Sequence, residues 1–351
     1  GIMVWQDFWL ANPADGPDPL DEHMFLSNAD DYVKRIRNHP SIGIYCGRNE
    51  GYPPESIDRR LRHFVKTLHP GLGYISSSAD DGVSGHGPYW ALPPKEYFDR
   101  QTGKLHSERG MPNVMTYGGQ HDYCMQGAQR GATFNAIIEK AFGKPDNAAA
   151  FTKLAQWQNY DGYRAMSESG SRDRQGLLIW MSHACWPSMT WQCYDYYFEP
   201  TAAFFGCKKA CEPLHIQWNA STRNVEVVNL CAGNRTGLTA KVEITDVRGR
   251  TVKTMQATVS SDDDSTVVPE GLHVDDKVSL NGGNVYFIRL WLNDAEGRTL
   301  SHNFYVASND EGNLQELNTL PQTARRTSVK ATVTHSTGTV TNPSDTPAMM
   351  I

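Results

Sequence analysis

The sequence has no paired cysteine motif, no long basic run and no long apolar segment, and each absence excludes a class of protein. Its seven cysteines are odd in number and scattered, without a CxxC pair or a histidine spacing of the zinc type. We therefore predict neither a disulfide framework nor a metal site. The net charge of −6 disfavours nucleic acid and anionic membranes as partners. No apolar run is long enough to span a membrane.

Two enzyme signatures are also missing. The chain contains no GxSxG elbow and no cluster of histidines and carboxylates at metal-ligand spacing. These absences argue against an α/β hydrolase and against a metal enzyme, and we predict no cofactor. Cys207 and Cys211 are four residues apart, on what reads as a chain turn, and we interpret them as two unpaired thiols.

The most informative stretch is Ser41–Glu50, SIGIYCGRNE. Its β-branched and aromatic residues predict a strand that Gly47 ends, leaving Arg48, Asn49 and Glu50 at the carboxyl end. In a β/α barrel that end is the active-site face. A polar loop after a buried strand explains the same pattern, and this stretch alone leaves both interpretations open.

Strands and helices alternate through the first part of the chain, which is typical of parallel α/β organisation. The predicted elements are a strand at Ile2–Phe8, a helix at Asn28–Asn38, the strand from Ser41, a helix at Glu55–Leu68, a strand at Leu72–Ser77, helices near Gln126–Phe142 and Asn147–Ser169, and a buried strand at Gly176–Met181.

The pattern changes to short alternating strands beyond Glu212–Leu214. The predicted strands are Val225–Leu230, Leu238–Thr245, Thr251–Val259, Val285–Asn293 and Ser301–Val306. Their spacing favours a β-sandwich of the immunoglobulin type. We assign residues 1–212 to an α/β domain, 213–307 to the sandwich and 308–351 to a linker and the start of a further β domain.

Glu50 and Glu108 each follow a predicted strand and are 58 residues apart. Hydrolysis of a glycosidic bond needs one carboxylic acid to protonate the leaving oxygen and a second carboxylate to attack or stabilise the sugar. On spacing alone, two surface glutamates that never meet are the favoured interpretation.

Several motifs resemble glycoside hydrolase family 2. HPSIGIYCGRNE at 39–50 resembles its acid/base strand, and LHSERG at 105–110 is similar to its nucleophile segment. GIMVWQDF at 1–8 resembles the third barrel strand of the β-mannosidase branch. HGPYWALPP at 86–94 and the long stretch at 179–218 resemble the exo-β-D-glucosaminidase branch.

The resemblance implies the C-terminal part of a (β/α)8 barrel and a retaining exo-β-glycosidase that acts on terminal β-linked sugars. Glu50 would be the general acid/base and Glu108 the nucleophile, with their carboxyl groups about 5 Å apart. Asn49 would hydrogen-bond the substituent at sugar carbon two. Trp180 would form an apolar floor under the sugar, unless it packs in the barrel core.

Four further residues are weaker candidates for substrate binding. Tyr89 and Trp90 are candidates for lining the pocket, although such residues more often pack loops. Asp7 and Arg48 are candidates for binding substrate or for forming an ion pair beneath it.

The resemblance leaves the sugar open. The glucosaminidase pattern has Asp as its acid, whereas this chain has the Asn-Glu pair common in the family, so a β-glucosaminide, a β-mannoside, a β-galactoside or a β-glucuronide remains possible as substrate. Both chain ends read as cut, so we expect a missing N-terminal part of the same polypeptide. A fragment that only binds carbohydrate or serves as a scaffold is the alternative function. A periplasmic or secreted location is expected.

Overall fold

The computed structural model describes residues 2–13, 16–79, 92–99, 131–169, 179, 182–183 and 193–320. The predicted site residues Glu108, Tyr89, Trp90 and Trp180 lie outside these ranges, as do most of the C-terminal segment and, except for residue 179, the predicted strand at Gly176–Met181. Residues 2–79 belong to one compact unit, and residues 92–99, 131–169 and 193–320 belong to a second.

The first unit is a parallel three-stranded sheet with two helices. In chain order it contains β1 (Val4–Asp7), α1 (Glu22–Ile36), β2 (Ile42–Arg48), α2 (Glu55–Leu68) and β3 (Gly73–Ser77). The strands lie in the order β1-β2-β3, with Cys46 opposite both Asp7 and Ile75. The predicted parallel α/β arrangement is confirmed for these residues.

Apolar spacing explains how the helices cover the sheet. The buried residues of α1 recur every fourth position, as Phe25, Ala29 and Val33, and those of α2 follow the predicted helical stripe that includes Ile57 and Leu61. These side chains form one core with strand residues.

Helix α1 begins at Glu22, earlier than the predicted start near Asn28. The side chain of Asp21 accepts a hydrogen bond of 2.9 Å from Met24 N and so caps the helix. Such a cap contributes about 1 kcal/mol of stability. The predicted start was wrong because the capping role of Asp21 was not recognised from the sequence.

The second unit begins with helices. Among its described residues these are α3 (Pro94–Asp99), α4 (Gly131–Phe142), α5 (Ala148–Ser169) and α6 (Ala202–Ala210). Helix α6 crosses α5 closely, since a Cβ at Gly206 would lie 2.5 Å from Tyr160 O. Cys207 lies inside α6 and Cys211 is its C-cap, so the predicted chain turn between them is wrong, although both thiols are free as predicted.

Two antiparallel sheets follow the helices. Their strands are β4 (Leu214–Trp218), β5 (Val225–Asn229), β6 (Arg235–Asp246), β7 (Thr251–Ser261), β8 (Ser265–Val267), β9 (Val285–Asn293) and β10 (Thr299–Ser308), before a 3-10 helix at Gln315–Thr319. One sheet has the order β10-β9-β6-β7 and the other β4-β5-β8. Ile216 and Val227 from the smaller sheet pack in one core with Val242, Ile288 and Leu290 from the larger sheet.

A buried polar network fastens helix α5 to the sheets. Glu168 Oε1 accepts hydrogen bonds from Asn303 Nδ2 at 2.9 Å and from the Tyr305 hydroxyl at 2.8 Å, and His215 Nε2 lies 3.0 Å from it. On the other side of the ring, His215 Nδ1 lies 3.0 Å from Glu212 Oε2. Burial alone would lower the pKa of His215, but the two carboxylates outweigh burial and raise it.

Candidate active site

The candidate site is built at the carboxyl end of β2, and Gly47 sets its position. A Cβ at Gly47 would lie 2.3 Å from the Tyr74 hydroxyl and 2.8 Å from Ser76 O. Any side chain would therefore push β2 away from β3. Glycine allows the close approach that brings the residues after both strands together.

Glu50 has an unusual backbone conformation, with φ at 51°. This left-handed region costs a non-glycine residue about 1–2 kcal/mol, so it persists only where surrounding contacts hold the residue. Here Glu50 N donates a hydrogen bond of 2.8 Å to Ser78 Oγ. The carboxylate Oε2 accepts a bond of 2.5 Å from Asn12 Nδ2, and the residue is half-buried. Both ends of the residue are thus fixed by neighbouring segments.

Asn49 belongs to the same group of contacts. Its backbone nitrogen donates to Leu10 O at 3.1 Å, and its Oδ1 accepts from Ser78 Oγ at 3.4 Å. The Asn49 side chain is otherwise exposed. An exposed amide beside a fixed carboxyl group is an arrangement that can bind a hydroxyl or amino substituent of a ligand.

Residues after all three strands meet at this end of the sheet. Asn12 follows β1, Asn49 and Glu50 follow β2, and Ser78 follows β3. Asn12 and Ser78 were not among the predicted site residues. The available signal was the position of Ser78 directly after a predicted strand and of Asn12 in the loop after another, because the carboxyl ends of parallel strands share one edge.

Arg48 is buried, with 3% of its surface exposed, and it holds the loop after β1. Its Nε donates to Ala11 O at 2.8 Å, and its Nη1 donates to Asp18 Oδ1 at 2.5 Å. The ion pair of Arg48 is therefore with Asp18 and not with Asp7. Its part in binding substrate stays a prediction.

Asp7 is exposed at the end of β1. Its Oδ1 accepts a hydrogen bond of 2.8 Å from Trp5 Nε1. Burial raises the pKa of the neighbouring Cys46 thiol to about 12, and the negative charge of Asp7 adds to this shift. Cys46 is therefore a neutral thiol, and we assign it no part in the chemistry.

The remaining predicted site residues cannot be placed against Glu50. Glu108, Trp180, Tyr89 and Trp90 lie outside the described residues, so the expected separation of about 5 Å between the two carboxyl groups stays a prediction.

Within the described ranges, no group of three histidine, cysteine or carboxylate side chains is placed to hold a metal ion. No helix in that same part of the chain is long and apolar enough to cross a membrane.

The chain is similar in sequence to several known proteins. It is 29% identical over 391 residues to a mannosylglycoprotein endo-β-mannosidase of Lilium longiflorum, an alignment that covers 87% of this chain and 40% of that protein. It is 30% identical over 328 residues to an exo-β-D-glucosaminidase of Amycolatopsis orientalis, covering 79% of this chain and 31% of that protein. The chain thus spans well under half the length of these relatives. No protein-family model matches it.

A solved structure shares the fold. The complex of the Amycolatopsis orientalis exo-chitosanase CsxA with PNP-β-D-glucosamine superposes with a TM-score of 0.76 at 21% identity, covering 90% of this chain and 45% of that one.

These relatives are named as glycosidases, and the similarity supports a glycoside hydrolase. Within that class, the names of the relatives support the branch of the exo-β-D-glucosaminidases and β-mannosidases in glycoside hydrolase family 2, which the motifs predict.

Proposed function

We propose that the protein is a retaining exo-β-glycosidase that removes terminal β-linked glucosamine or mannose by double displacement. One observation carries the proposal: Glu50 is held in a left-handed conformation at the carboxyl end of a parallel strand, with its carboxyl group bonded to Asn12. Strained residues of this kind cluster at functional sites. The relatives of the chain include enzymes named for exo-glycosidase activity.

In the proposed mechanism Glu50 is the general acid/base. It protonates the leaving oxygen while Glu108 attacks the anomeric carbon and forms a glycosyl ester, and it then removes a proton from the water that cleaves the ester. Asn12 orients the Glu50 carboxyl group through its 2.5 Å hydrogen bond. Asn49 binds the substituent at sugar carbon two, and Trp180 lies under the sugar ring.

The proposal includes the architecture of the two units. The parallel strands and helices of residues 2–79 support three consecutive strands of a (β/α)8 barrel, with the site at the carboxyl ends of its strands. The two antiparallel sheets with a common core support an immunoglobulin-like sandwich. We propose a periplasmic or secreted location, where polysaccharide fragments are met.

The test is hydrolysis of aryl β-glycosides by the full-length protein and by its Glu50→Gln and Glu108→Gln variants. A panel of glucosaminide, mannoside, galactoside and glucuronide identifies the sugar. We expect one sugar to be turned over with the β-anomer released first, because two displacements retain configuration. Glu108→Gln abolishes turnover, whereas Glu50→Gln retains more activity on dinitrophenyl glycosides, whose leaving group needs no protonation.

A matched control is Glu55→Gln, which removes an exposed carboxylate at the start of α2 and leaves turnover at the parental rate. Release of the α-anomer first, or activity untouched by both variants, contradicts the assignment. One relative is named an endo-enzyme, so a substrate with a blocked non-reducing end tests the exo mode.

A second candidate is a carbohydrate-binding module without turnover. The observation that favours it is the exposed Asn49 amide beside the fixed Glu50 carboxyl group, an arrangement that can bind a sugar hydroxyl without hydrolysis. The same hydrolysis panel, run on this chain beside the full-length protein, separates the two. Binding of sugar by the chain without hydrolysis supports the module.

A further inference from the structure

The segment from Asp195 to Glu199 is a tight turn closed by its own backbone. Asp195 N donates to Glu199 O at 3.0 Å, and Phe198 N donates to Asp195 O at 3.0 Å. Oδ1 of Asp195 also accepts from the backbone nitrogens of Tyr197 and Glu199, at 2.8 and 2.9 Å. Four hydrogen bonds within five residues give this aromatic turn one defined conformation.

Two other turns of the chain repeat this bonding pattern. Residues 246–250 and 294–298 each begin with an aspartate whose Oδ1 accepts from the third and fifth backbone nitrogens and whose carbonyl accepts from the fourth. The fourth residues there are Gly249 and Gly297, at φ of 79° and 80°. The equivalent residue of the aromatic turn is Phe198, at φ of 65°. Glycine adopts this region freely, whereas a bulky side chain is strained in it.

Burial does not compensate for the strain. The exposed fraction is 74% for Phe198, 67% for Tyr197 and 42% for Tyr196. Among the described residues, Phe198 makes one ring contact, with His183 at 5.9 Å between centroids. The fold thus keeps three aromatic rings in solvent on a turn where glycine would suit the backbone better. Binding of a ligand gives a reason for rings that folding does not need.

The chemistry of the turn selects the ligand. Its charged residues, Asp195 and Glu199, are both acidic, and the chain carries a net charge of −6, so phosphates of nucleotides or lipids are repelled. Tyr196 and Tyr197 meet edge to face, with centroids 5.2 Å apart, so they present rings and hydroxyl groups in two directions. Sugar rings offer apolar C–H faces to aromatic rings and hydroxyls to tyrosine, and a hexosamine adds a cation that suits the acidic residues.

We infer that the aromatic turn is a carbohydrate-binding surface that stacks against rings of a β-linked oligosaccharide. The class of ligand rests on the proposed function, because a glycosidase meets such chains. The surface itself rests on the strained, exposed Phe198 and its two tyrosine neighbours.

The experiment is affinity electrophoresis of the full-length protein in native gels that contain soluble β-1,4-glucomannan or glycol chitosan, with α-linked dextran as the control polymer. Phe198→Gly and Tyr197→Ser are compared with the parent. Neither substitution changes the charge, so mobility without polymer is the same for all. We expect one β-linked polymer to slow the parent and the apparent dissociation constant to rise about three- to tenfold in each variant.

Stability separates binding from folding. Phe198→Gly removes the strain, so its unfolding temperature is expected to equal or exceed that of the parent. Leu300→Ser is the matched control, because it removes an exposed apolar side chain from β10, and it is expected to bind like the parent.

Three results would overturn the inference. The first is that neither β-linked polymer slows the parent, and the second is that the polymers slow the parent and the variants equally. The third is that Phe198→Gly changes the association state without changing polymer binding, which would identify the turn as a protein interface. Aryl glycoside turnover is measured on the same samples. Absent turnover with Phe198-dependent retardation removes the proposed catalysis and leaves the binding surface standing.

Discussion

Asn12 Nδ2 donates a 2.5 Å hydrogen bond to Oε2 of Glu50, a residue 38 positions later in the chain. The bond joins the segments that follow β1 and β2 at the carboxyl end of the parallel sheet. It gives the proposed acid/base a fixed orientation, which an exposed glutamate with free rotamers lacks.

Asn12→Ala is expected to lower kcat/KM for an aryl β-glycoside by about tenfold or more, because small displacements of a catalytic group cost one to two orders of magnitude. The loss of one partly buried hydrogen bond changes the free energy of unfolding by only about 1 kcal/mol. Steady-state kinetics and urea unfolding of the same variant separate the two effects. Asn28→Ala, on the exposed face of α1, is the matched control. A kcat/KM within twofold of the parent contradicts the orienting role.

Gly47→Ala is expected to destabilise the protein by about 1–3 kcal/mol, as overpacking does, since its Cβ would lie 2.3 Å from the Tyr74 hydroxyl. Displacement of β2 also moves Glu50, so activity falls with stability. Urea unfolding measures the first effect. Gly73→Ala in β3 is the matched control, because its Cβ would meet Ile44 Cγ1 at an ordinary 3.6 Å. Equal unfolding midpoints for the two variants would contradict the packing argument.

His215 is expected to make stability fall at neutral to alkaline pH. Burial lowers its pKa, and the facing carboxylates of Glu168 and Glu212 outweigh burial, so the pKa in the folded protein lies above the unfolded value of about 6.5. The contribution of the charged ring is therefore complete below about pH 6.5 and is lost as the pH rises through the folded pKa. The free energy of unfolding of the parent, measured from pH 5 to 9, should therefore decrease as the pH rises. This decrease should be absent in His215→Gln. His273→Gln, at an exposed position, should keep it. Parallel curves for parent and His215→Gln would refute the prediction.

Glu212 is expected to make the stability of the folded protein fall at acidic pH. Burial raises its pKa, but hydrogen bonds from His215, Lys209 and Ser301 outweigh that effect and lower the pKa to about 2. Its contribution is present above the ordinary carboxyl pKa and is lost as the pH falls through about 2. Acid unfolding should therefore be less steep in Glu212→Gln than in the parent. Glu270→Gln, which removes an exposed carboxylate, serves as the control. Acid unfolding that is equally steep in Glu212→Gln and Glu270→Gln would count against the prediction.

Elements with a strong repeat were predictable from the sequence. Helix α2 spans Glu55–Leu68 and strand β9 spans Val285–Asn293, both as predicted. In the first, apolar residues recur at the helical period, and in the second a run of β-branched and aromatic residues is bounded by turn residues. The local pattern was sufficient because the apolar face that the repeat defines is the face that is buried in the fold.

Elements with a weak repeat were not predicted. Helix α6, AAFFGCKKA, carries no clear apolar stripe, and its Gly206 is explained only by the backbone of α5 beside it. Strand β4, LHIQW, was not predicted as a strand, and its polar His215 is buried because partners from α5 and β10 surround it. Such residues are fixed by tertiary contacts that no local window contains.

The sequence by itself determined the parallel α/β order of the first segment, the strand that ends before Asn49 and Glu50, and the resemblance to a family of glycosidases. These depend on local periodicity and on motifs that are contiguous in the chain. Only the tertiary structure decided that Asn12 and Ser78 hold Glu50 in a left-handed conformation and that Arg48 pairs with Asp18. Those contacts join residues 28 to 38 positions apart, which become neighbours only when parallel strands align their carboxyl ends.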